Sequence, residues 1–392
     1  MRVLLLGVGM QGKAALHDLA TSPAVDQVIA ADADVERLES IADRAGWGGS
    51  VRCELLDAAD PESLRRLMHL QPDVAVDLLP PAFNARVARE AIECGVHLVN
   101  SSFVPAHLRR LAGEASRRRI TILPEFGLDP GIDLVMLGDA ARSVDAIEEV
   151  YSYGAGIPEP DAADNPLRYK VSWRLEGVLN AYRRPARMLR EGAVVEIDRR
   201  ELFSPENVHE VHVAGLGTLE AYPNGDVLQY VDTLGLDPGS LRAVARYTMR
   251  WPGHCAFWRR MVDLHLLDPE PVLVDGSPVD RVRFLAAALG PHIQYGPHER
   301  DVVVVRVDVV GRRSGRRRRL RYQLVDRRDL TTGLSAMSRT VGFTASIGAI
   351  LIGTGMITRR GLLSPVKDVP YPILAAELGR RGIELVREEA AG

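Results

Sequence analysis

The first third of the chain repeats one pattern of apolar and polar positions. Short apolar runs alternate with stretches in which apolar residues recur at helical spacing among charged ones. The runs are "RVLLL", "QVIAA", "VRCELL", "VAVDLL", "HLVN" and "ITIL". Helix starts are marked as well, since Asp60 precedes "PESLRRLM" and places proline in the first turn. Strands that alternate with helices in this way predict a doubly wound parallel sheet of the Rossmann type, in the α/β class.

After about residue 145 the alternation ends. "EEVYSYGAGIP", "VHEVHVAG", "GTLEAYP", "DVVVVRVDVV" and "LRYQLVD" have the composition of strands without regular helices between them. They predict a second α+β domain built on a mixed sheet. The segment "SAMSRTVGFTASIGAILIGTGMI" that follows is rich in small residues and helical in period.

These patterns divide the chain into three parts. Residues 1–130 form the predicted dinucleotide-binding domain, and residues 131–340 form the predicted substrate-binding and dimerisation domain. We expect residues 341–392 to be C-terminal helices that return to the first domain. Because extended strand pairs in mixed sheets often mediate dimers, we also expect a homodimer.

Composition excludes several classes of protein. The 392 residues, of which 46% are hydrophobic, exceed one ordinary domain. Apolar runs stay below the roughly 18 residues of a membrane span, and glycines interrupt the N-terminal run too early for a signal peptide. The net charge of -3 gives no general reason to expect nucleic acid or a membrane surface as partner. Cys53, Cys94 and Cys255 lie far apart, so we expect reduced thiols, no metal and a cytoplasmic protein.

One local segment, "GRRSGRRRRLRY", is strongly basic. Lys and Arg total 49, and only Lys13, Lys170 and Lys367 are lysines, so Arg is the usual exposed cation of this chain. Strand-like runs on both sides predict the tip of a β-hairpin rather than a patch for polyanions. A lysine kept in such a chain points to the chemistry of a primary amine or to the compact shape of the side chain, which draws attention to Lys170.

The first apolar run leads into a glycine motif. In "GVGMQG", Gly7, Gly9 and Gly12 have GxGxxG spacing with Met10 and Gln11 before the last glycine, and an amphipathic helix follows. The first glycine permits a tight turn, the second lets a pyrophosphate approach the backbone, and the third lets helix and strand pack closely. The helix N-terminus then holds the phosphates. We therefore predict a dinucleotide site.

Two acids at strand ends bear on the cofactor. Asp32 ends the second run, where an acid binds the ribose 2′-hydroxyl and repels a 2′-phosphate. This favours NAD, while the nearby Arg37 leaves NADP possible. Asp57 ends the third run and is a candidate neighbour of the adenine, or else part of a capped helix start.

Three carboxylates follow the sixth run, in "PEFGLDPGID". Ligands of a parallel sheet lie beyond the carboxyl ends of its strands, so Asp129, with less support for Glu125 and Asp133, faces the nicotinamide or its substrate in this interpretation. A cationic substrate such as an amine would explain acids there. Alternatively, Asp129 is a turn residue before Pro130, and Asp133 caps the next helix.

Longer segments resemble one enzyme family nearly from end to end. "GVGMQG", "GLDPGID", "NPLRYKVSWRLEGVLNAYRRPARMLREG", "LGTLEAYPNGD", "YTMRWPGH" and "SAMSRTVGFTASIGAILIGTGMITRRG" occur in the order typical of the saccharopine dehydrogenase and lysine 6-dehydrogenase family. The resemblance implies an NAD(P)-dependent dehydrogenase acting on CH–NH or CH–NH2 groups. Its reaction would be hydride transfer at the ε C–N bond of lysine or an N6-substituted lysine, giving a semialdehyde.

The resemblance also implies site residues. In glutamate-forming saccharopine dehydrogenases the match to Asp129 lies near the transferred nitrogen, and the matches to Asn224 and Arg250 hold substrate carboxylates. Those enzymes usually carry Arg after the Asn, whereas this chain has Gly225, which removes a bidentate carboxylate ligand. The second domain and the compact length are more similar to lysine 6-dehydrogenase, which releases ammonia but often lacks the acid found here as Asp129. Both types therefore stay open.

The chemistry requires a proton acceptor, because hydride leaves carbon only when the amine, with a pKa near ~10.4, has lost its proton. Asp129 would position the nitrogen, and Lys170 or His254 would take the proton. Alternatively, Lys170 is the partner of a surface acid and His254 is a packed turn histidine.

Four further residues are candidates for binding. Ser101 and Ser102 can hold the nicotinamide amide or the substrate, or else cap a helix before "VPAHLRRL". Trp173 and Tyr153 can supply an apolar wall, or simply pack at a domain joint. Two other functions remain open: a reductive coupling of an amine and an aldehyde of the carboxynorspermidine type, and a non-catalytic NAD-binding regulator.

Overall fold

A computed structural model describes residues 1–236 and 238–391 of the chain. Its strands are β1 (Arg2–Leu6), β2 (Gln27–Asp32), β3 (Val51–Leu55), β4 (Val74–Asp77), β5 (His97–Asn100), β6 (Thr121–Leu123), β7 (Ala146–Pro158), β8 (Ala186–Arg190), β9 (Ala193–Ile197), β10 (His209–Val213), β11 (Gly217–Pro223), β12 (Ala243–Arg250), β13 (Val272–Val274), β14 (Ser277–Val279), β15 (Asp301–Arg313), β16 (Arg316–Arg327), β17 (Gly361–Leu362) and β18 (Leu385–Ala391).

The helices are α1 (Gly12–Thr21), α2 (Val35–Arg44), α3 (Pro61–Met68), α4 (Asn84–Cys94), α5 (Ala106–Arg109), α6 (Ala112–Arg117), α7 (Ile132–Ser143), α8 (Leu175–Ala181), α9 (Leu228–Leu234), α10 (His254–Asp263), α11 (Arg281–Leu289), α12 (Ala336–Gly353), α13 (Pro365–Asp368) and α14 (Tyr371–Arg380). The chain forms two compact units. The first consists of Met1–Asp139 and Ser338–Glu384, and the second of Ala140–Met337 and the segment from Leu385 onward.

The first unit contains a parallel sheet of seven strands in the order β17-β6-β5-β4-β1-β2-β3. The six predicted runs form β1 to β6, and helices alternate with them along the chain. The predicted doubly wound fold is thus confirmed. Strand order reverses between β1 and β4, which is the switch point where such sheets bind dinucleotides.

The core of this sheet is apolar because its strands are covered by helices. On one face, strand residues such as Leu4, Leu6 and Leu98 pack with Leu64 of α3 and Val87 of α4. The start of α3 is as predicted: Asp60 is its N-cap and accepts the Glu62 N–H at 3.0 Å. The helices therefore hold the carboxyl ends of the strands in fixed places.

The helix α12 belongs to the core of the first unit. Among the described residues it is the one helix long and apolar enough to cross a membrane, and 78% of it is buried inside the protein. Ser338 donates from Oγ to the Met10 carbonyl at 2.7 Å, and Gly342 lies against the start of α1. The tail differs from the prediction at its end, because β18 pairs with β16 in the sheet of the second unit.

The second unit is built on a mixed sheet of nine strands. Seven follow the order β10-β11-β12-β7-β15-β16-β18, with β8 attached to β12 and β9 to β8. The basic segment forms the predicted hairpin, since β15 and β16 pair up to the turn at Ser314 and Gly315, both with positive φ. Arg312 and Arg317 of this hairpin form ion pairs with Glu148 of β7, so part of the positive charge is neutralised.

Several strands of the second unit were not predicted from the sequence. The most consequential is β12, "AVARYTMR", which lies between β11 and β7 in the sheet. Its residues 246, 248 and 250 are Arg, Thr and Arg, so the polar side chains reduce the apolar signal of the run. These alternate positions point to one face of the sheet.

Candidate active site

The glycine motif at the end of β1 has the geometry of a phosphate loop. Gly7 has φ +88°, a conformation that favours glycine. A Cβ on Gly12 would lie 2.1 Å from the Gly7 carbonyl oxygen, so only glycine allows α1 to start this close to the strand. A Cβ on Gly9 would meet no atom within 4 Å. The backbone at Gly9 is therefore open to a pyrophosphate.

Asp32 and Arg37 form a pair beside this loop. The Asp32 carboxylate accepts the Val8 N–H at 2.6 Å and the Asp34 N–H at 3.1 Å, and lies 3.4 Å from Arg37 Nη2. Arg37 also donates to the Val8 carbonyl at 3.0 Å. Much of the hydrogen-bonding capacity of Asp32 is thus used within the protein, and a half-exposed guanidinium stands next to it. A 2′-phosphate fits this pair, because the guanidinium supplies the charge that it needs.

Three other residues that the sequence predicted to bind the cofactor are Met10, Gln11 and Asp57. Met10 is 48% exposed, and Gln11 is the N-cap residue of α1 without a side-chain cap. Asp57 is exposed and accepts the Ala59 N–H at 2.8 Å, while the cap of α3 is the separate residue Asp60. Asp57 is therefore a turn residue in the structure, and its position after β3 remains compatible with an adenine neighbour.

The acidic turn after β6 is bound tightly to the loop after β5. Phe126 donates its N–H to the Asn100 carbonyl at 2.9 Å, and Glu125 donates to the Ser102 carbonyl at 3.1 Å. Within the turn, Gly127 donates to the Pro130 carbonyl at 3.0 Å. Asp129 is half-buried in this turn, at the carboxyl edge of the sheet where the sequence analysis placed it.

The neighbouring acids have structural partners. The Asp133 carboxylate is buried in the first turn of α7 and accepts the Gly131 N–H at 2.8 Å. Glu125 has a positive φ of 55° and accepts the Val104 N–H at 3.4 Å. Burial raises the pKa of Glu125. Asp133 therefore has the helix-start role that was given above as its alternative.

Ser101 and Ser102 lie half-buried in the loop that holds this turn. Ser102 donates its N–H to Asn100 Oδ1 at 3.0 Å, and a Cβ on Gly127 would lie 2.9 Å from the Ser101 Cβ. The cap of α5 is Pro105, so neither serine caps that helix. Both serines are placed where they can contact a ligand at the carboxyl edge.

A set of buried polar groups at the same edge was not predicted from the sequence. Asp77 ends β4, and its register partner Asn100 ends β5. Asp77 Oδ2, Asn100 Nδ2 and Asn84 Oδ1 are buried and have no hydrogen-bond partner among the described residues. Burial raises the pKa of Asp77 to about 7. Because Asp77 lies within the run "VAVDLL", the apolar pattern indicates a buried strand there and gives no signal for a polar group.

In the second unit, Arg250 is the most unusual charged group. Its side chain is 5% exposed, Nη1 donates to the Met249 carbonyl at 2.9 Å, and Nε has no partner among the described residues. The guanidinium lies 5.1 Å from the centre of the Tyr169 ring. The acid directly across the strand pair, Glu220, instead accepts the N–H groups of Gly253 and Cys255 at the start of α10.

Buried hydroxyl groups accompany this guanidinium. Tyr169, Ser172 and Tyr295 each have a buried side-chain oxygen without a hydrogen-bond partner among the described residues. Burial raises the pKa of Tyr169 to about 12, so its hydroxyl remains a donor at neutral pH. Asn224 lies near the same strand and donates from Nδ2 to Thr248 Oγ1 at 2.8 Å. A buried cation with unused donors is a favourable place for a carboxylate.

In the structure Lys170 is the partner of acids and His254 is a packed histidine, which are the alternatives to proton acceptance given above. Lys170 Nζ lies 2.6 Å from Glu299 and 3.0 Å from Asp164. Burial opposes the charge of Lys170, but the hydrogen bonds to these acids raise its pKa, which disfavours proton acceptance. His254 Nε2 lies 2.9 Å from the Tyr182 hydroxyl, and burial, aided by Arg250, holds the His254 pKa well below its usual value.

The two predicted aromatic residues are both packed within the second unit. Tyr153 stacks on Tyr247 with ring centres 5.3 Å apart, and the Arg306 guanidinium lies 5.7 Å from the centre of the Tyr153 ring. Trp173 is 36% exposed and lies over Gly177, where a Cβ would come within 2.5 Å of its ring. Of the two, Trp173 has surface left for a ligand. Among the described residues, no cluster of His, Cys, Asp and Glu could hold a metal.

Two family models match the chain in succession. The saccharopine dehydrogenase NADP binding domain matches residues 3–123, and the saccharopine dehydrogenase C-terminal domain matches residues 127–383. The first match contains the glycine motif, Asp32 and Arg37. It favours NADP, whereas the sequence alone favoured NAD and left NADP possible. The second match contains Asp129 and Arg250 and covers more than half of the chain.

Individual proteins agree with these matches. A saccharopine dehydrogenase [NADP(+), L-glutamate-forming] of Saccharomyces cerevisiae is 25% identical, with 99% of each chain covered. The crystal structure of an apo saccharopine dehydrogenase (L-Glu forming) from the same organism matches with a TM-score of 0.87 at 25% identity over 100% of both chains. The mitochondrial alpha-aminoadipic semialdehyde synthase of Bos taurus is 27% identical over 95% of this chain, which spans only 46% of that synthase.

Proposed function

Because the chain belongs to the saccharopine dehydrogenase family, we propose that it is an NADP-linked oxidoreductase acting on the ε C–N bond of an N6-substituted lysine. The substrate we propose is saccharopine or a close analogue, whose oxidation by NADP gives an imine that water hydrolyses to glutamate and a semialdehyde. The observation that carries this proposal is the buried Arg250 guanidinium, which forms no ion pair among the described residues. A carboxylate of an amino-acid substrate would neutralise it.

The residues of the first unit fit NADP. Gly9 leaves the backbone open to a pyrophosphate, and Arg37 supplies a cation for the 2′-phosphate. When bound, the nicotinamide supplies the oxidant for the carbon next to the substrate nitrogen. The amide hydrogen bonds from Glu125 and Phe126 to the loop after β5 keep the acidic turn at the carboxyl edge of the sheet, where this family of folds binds its ligands.

Asp129 is the residue we assign to the substrate nitrogen. A carboxylate there orients the amine and accepts its proton, which frees the lone pair before the C–H bond breaks. Ser101 and Ser102 are assigned to hydrogen bonds with ligands at the same edge. We assign the proton transfer to neither Lys170 nor His254, since the ion pairs of the first keep it protonated and the burial of the second keeps it neutral and packed.

A second candidate function is oxidation of free lysine with release of ammonia, as in lysine 6-dehydrogenase. The observation that favours it is Gly225, which carries no side chain to bind the carboxylates of a glutamate substituent. This alternative needs one carboxylate subsite, whereas cleavage of saccharopine needs subsites for a larger substrate.

One set of reactions separates these candidates. The purified protein is mixed with NADP or NAD and offered saccharopine, lysine or N6-methyl-lysine, and reduced cofactor, glutamate and ammonia are all measured. We expect reduced cofactor and glutamate from saccharopine, with NADP the better cofactor. Ammonia from lysine would instead select the deaminating reaction. Absence of reduced cofactor with all three amines would reject both.

We further propose that the protein is a cytoplasmic homodimer. The long strand pair of β15 and β16 supports a dimer, because extended strand pairs often serve as contact surfaces. The cysteines Cys53, Cys94 and Cys255 are free thiols, which suits a reducing compartment. Light scattering on the purified protein and fractionation of the cells that contain it test the two statements.

A further inference from the structure

The mixed sheet of the second unit has a small cavity on one of its faces. The neighbouring strands β15, β16 and β18 supply most of the residues that line it. Two rows of residues cross these strands in register and point to the same face, with Asp308, Arg321 and Glu388 in one row and Arg306, Gln323 and Val386 in the other. The cavity has a volume of about 100 Å³, which is room for several water molecules.

This face of the sheet is the opposite one from Arg250. In register across the sheet, Arg306 pairs with Tyr153 of β7, which in turn pairs with Tyr247 of β12. Tyr247 and Arg250 are three positions apart on β12, and residues an odd number of positions apart on a strand point to opposite faces. The cavity is therefore separate from the place to which we assign the substrate carboxylate.

Asp308 holds two guanidinium groups in place beside the cavity. It is 8% exposed and accepts hydrogen bonds from Arg306 Nε at 3.0 Å and from Arg321 Nε at 3.0 Å. Arg306 also donates from Nη1 to the His212 carbonyl at 3.2 Å, which attaches β10 to one side of the cavity. Because Arg321 binds Asp308 through Nε, its two Nη groups have no partner among the described residues.

Other polar side chains that line the cavity also lack a protein partner. Glu388 is the register neighbour of Arg321, yet its carboxylate forms no ion pair or hydrogen bond with the part of the chain that the structure describes. The Gln323 amide and the His212 imidazole likewise have no hydrogen-bond partner in residues 1–236 and 238–391. The cavity thus offers hydrogen-bond donors and an acid that are all available to a ligand.

We propose that this cavity binds a small α-amino acid in its zwitterionic form. The Nη groups of Arg321 and the Gln323 amide donate to the ligand carboxylate, and Glu388 accepts from the ligand ammonium group. Ala214 and Val386, which is 42% exposed, contact the ligand side chain. Each charge on the ligand then meets the opposite charge on the protein.

The charges around the cavity favour a zwitterion over a simple anion. Asp308 offsets one of the two positive charges of Arg306 and Arg321, and Glu388 offsets the other. A simple anion would leave the Glu388 carboxylate unpaired beside it. Directly paired residues of antiparallel strands are about 5 Å apart at their Cα atoms, so Arg321 and Glu388 present opposite charges side by side. An α-amino acid has its two charges on neighbouring groups, which matches this arrangement.

Calorimetric titration of glycine, alanine and serine into the purified protein tests the site. The titrations are repeated with Arg321→Gln, with Glu388→Gln and with the matched control Arg316→Gln, because Arg316 is exposed on β16 and lies outside the cavity. We expect at least one amino acid to bind the wild type, with binding weakened about tenfold or more by Arg321→Gln and about threefold or more by Glu388→Gln. Arg316→Gln should bind within about twofold of the wild type.

Acetate and methylamine carry one each of the two ligand charges and complete the test. We expect each to bind the wild type about tenfold or more weakly than the amino acid, since neither can use both Arg321 and Glu388. Acetate that binds as tightly as the amino acid would identify a simple anion site and overturn the proposal.

Two other results would also overturn it. One is that none of the three amino acids binds, and the other is that Arg321→Gln and Glu388→Gln both bind as the wild type does, which would place the ligand elsewhere. Thermal unfolding identifies a variant that has lost its fold, and the exposed Glu388 on the edge strand β18 provides the comparison if Arg321→Gln does not fold. No turnover is measured, so the result is independent of whether the protein oxidises saccharopine.

Discussion

At the scale of residues, burial acts in opposite ways on two ionisable side chains. Arg250 keeps its charge when buried, because a guanidinium does not lose its proton in proteins. Asp77 can give up its charge, and burial raises its pKa to about 7. We therefore propose a binding role for Arg250, and we expect Asp77 to make stability depend on pH.

Replacing Asp77 by Asn should change the pH dependence of stability. The folded pKa of Asp77 lies above its unfolded value of 3.8, so the folded state holds this proton more tightly and wild-type stability falls as pH rises from about 4 to 7. Asp77→Asn removes this loss. Its gain over the wild type should grow by about 1.4 kcal/mol per pH unit and level off near 4 kcal/mol above about pH 7. Urea unfolding of the cofactor-free protein between pH 5 and 8 measures the difference.

The matched control for this variant is Asp43→Asn, since Asp43 is exposed on α2. That variant should differ from the wild type by a constant amount over the same range. A constant difference for Asp77→Asn as well would contradict the raised pKa.

Residues were predictable from the sequence where a motif fixed their geometry. Gly7 requires a positive φ, and Gly12 requires close packing of helix and strand. Both requirements follow from the GxGxxG spacing alone. The closeness of Arg246 to Gly225 could not be predicted, because the two residues are 21 positions apart in the chain. The surroundings of Lys170 were likewise set by Glu299, which no local pattern could indicate.

At the scale of elements, the helix α12 supports the dinucleotide loop. A Cβ on Gly342 would lie 2.6 Å from the Gln11 carbonyl oxygen and 2.7 Å from the Ala15 nitrogen. Ser338 of the same helix donates to the Met10 carbonyl at 2.7 Å. The start of α1 therefore depends on a helix that is more than 300 positions later in the sequence.

Gly342→Ala should push these two helices apart. Overpacking of this kind costs about 1–3 kcal/mol of stability, and the displaced loop should bind NADP about tenfold more weakly. Thermal unfolding and a fluorescence titration with NADP measure the two effects. The control is Gly379→Ala in α14, because a Cβ there would meet no atom within 4 Å. If Gly342→Ala binds NADP as tightly as this control, α12 does not support the loop.

Elements with a strong pattern of apolar residues were predicted correctly from the sequence, whereas a strand that mixes apolar with polar residues was not. The strands β1 to β6 and the β15–β16 hairpin follow from apolar runs and turn residues. The strand β12 was overlooked because arginine and threonine occupy alternate positions in it. One of those polar side chains is Arg250, to which we assign a substrate carboxylate, so a local departure from the apolar pattern coincides with the proposed site.

At the scale of the whole molecule, sequence and structure agree on a parallel sheet unit and a mixed sheet unit. The path of the last residues was not predictable, since "LVREEAA" is too polar to indicate a core strand. It becomes β18 by pairing with the edge of β16, and this pairing depends on backbone groups rather than on side chains. The first unit thus contains the residues that match an NADP binding domain, and the second contains Arg250, to which we assign a substrate carboxylate.

The central claim is that the chain oxidises the lysine C6–N bond of an N6-substituted lysine. Two saccharopine samples test it most directly, one with deuterium at lysine C6 and one with deuterium at the α-carbon of the glutamate half. Each is mixed with the protein and NADP, and the reduced cofactor is analysed by mass spectrometry. We predict deuterium in the reduced cofactor from the C6-labelled sample alone. Deuterium from the glutamate carbon, or no deuterium from either sample, would contradict the claim.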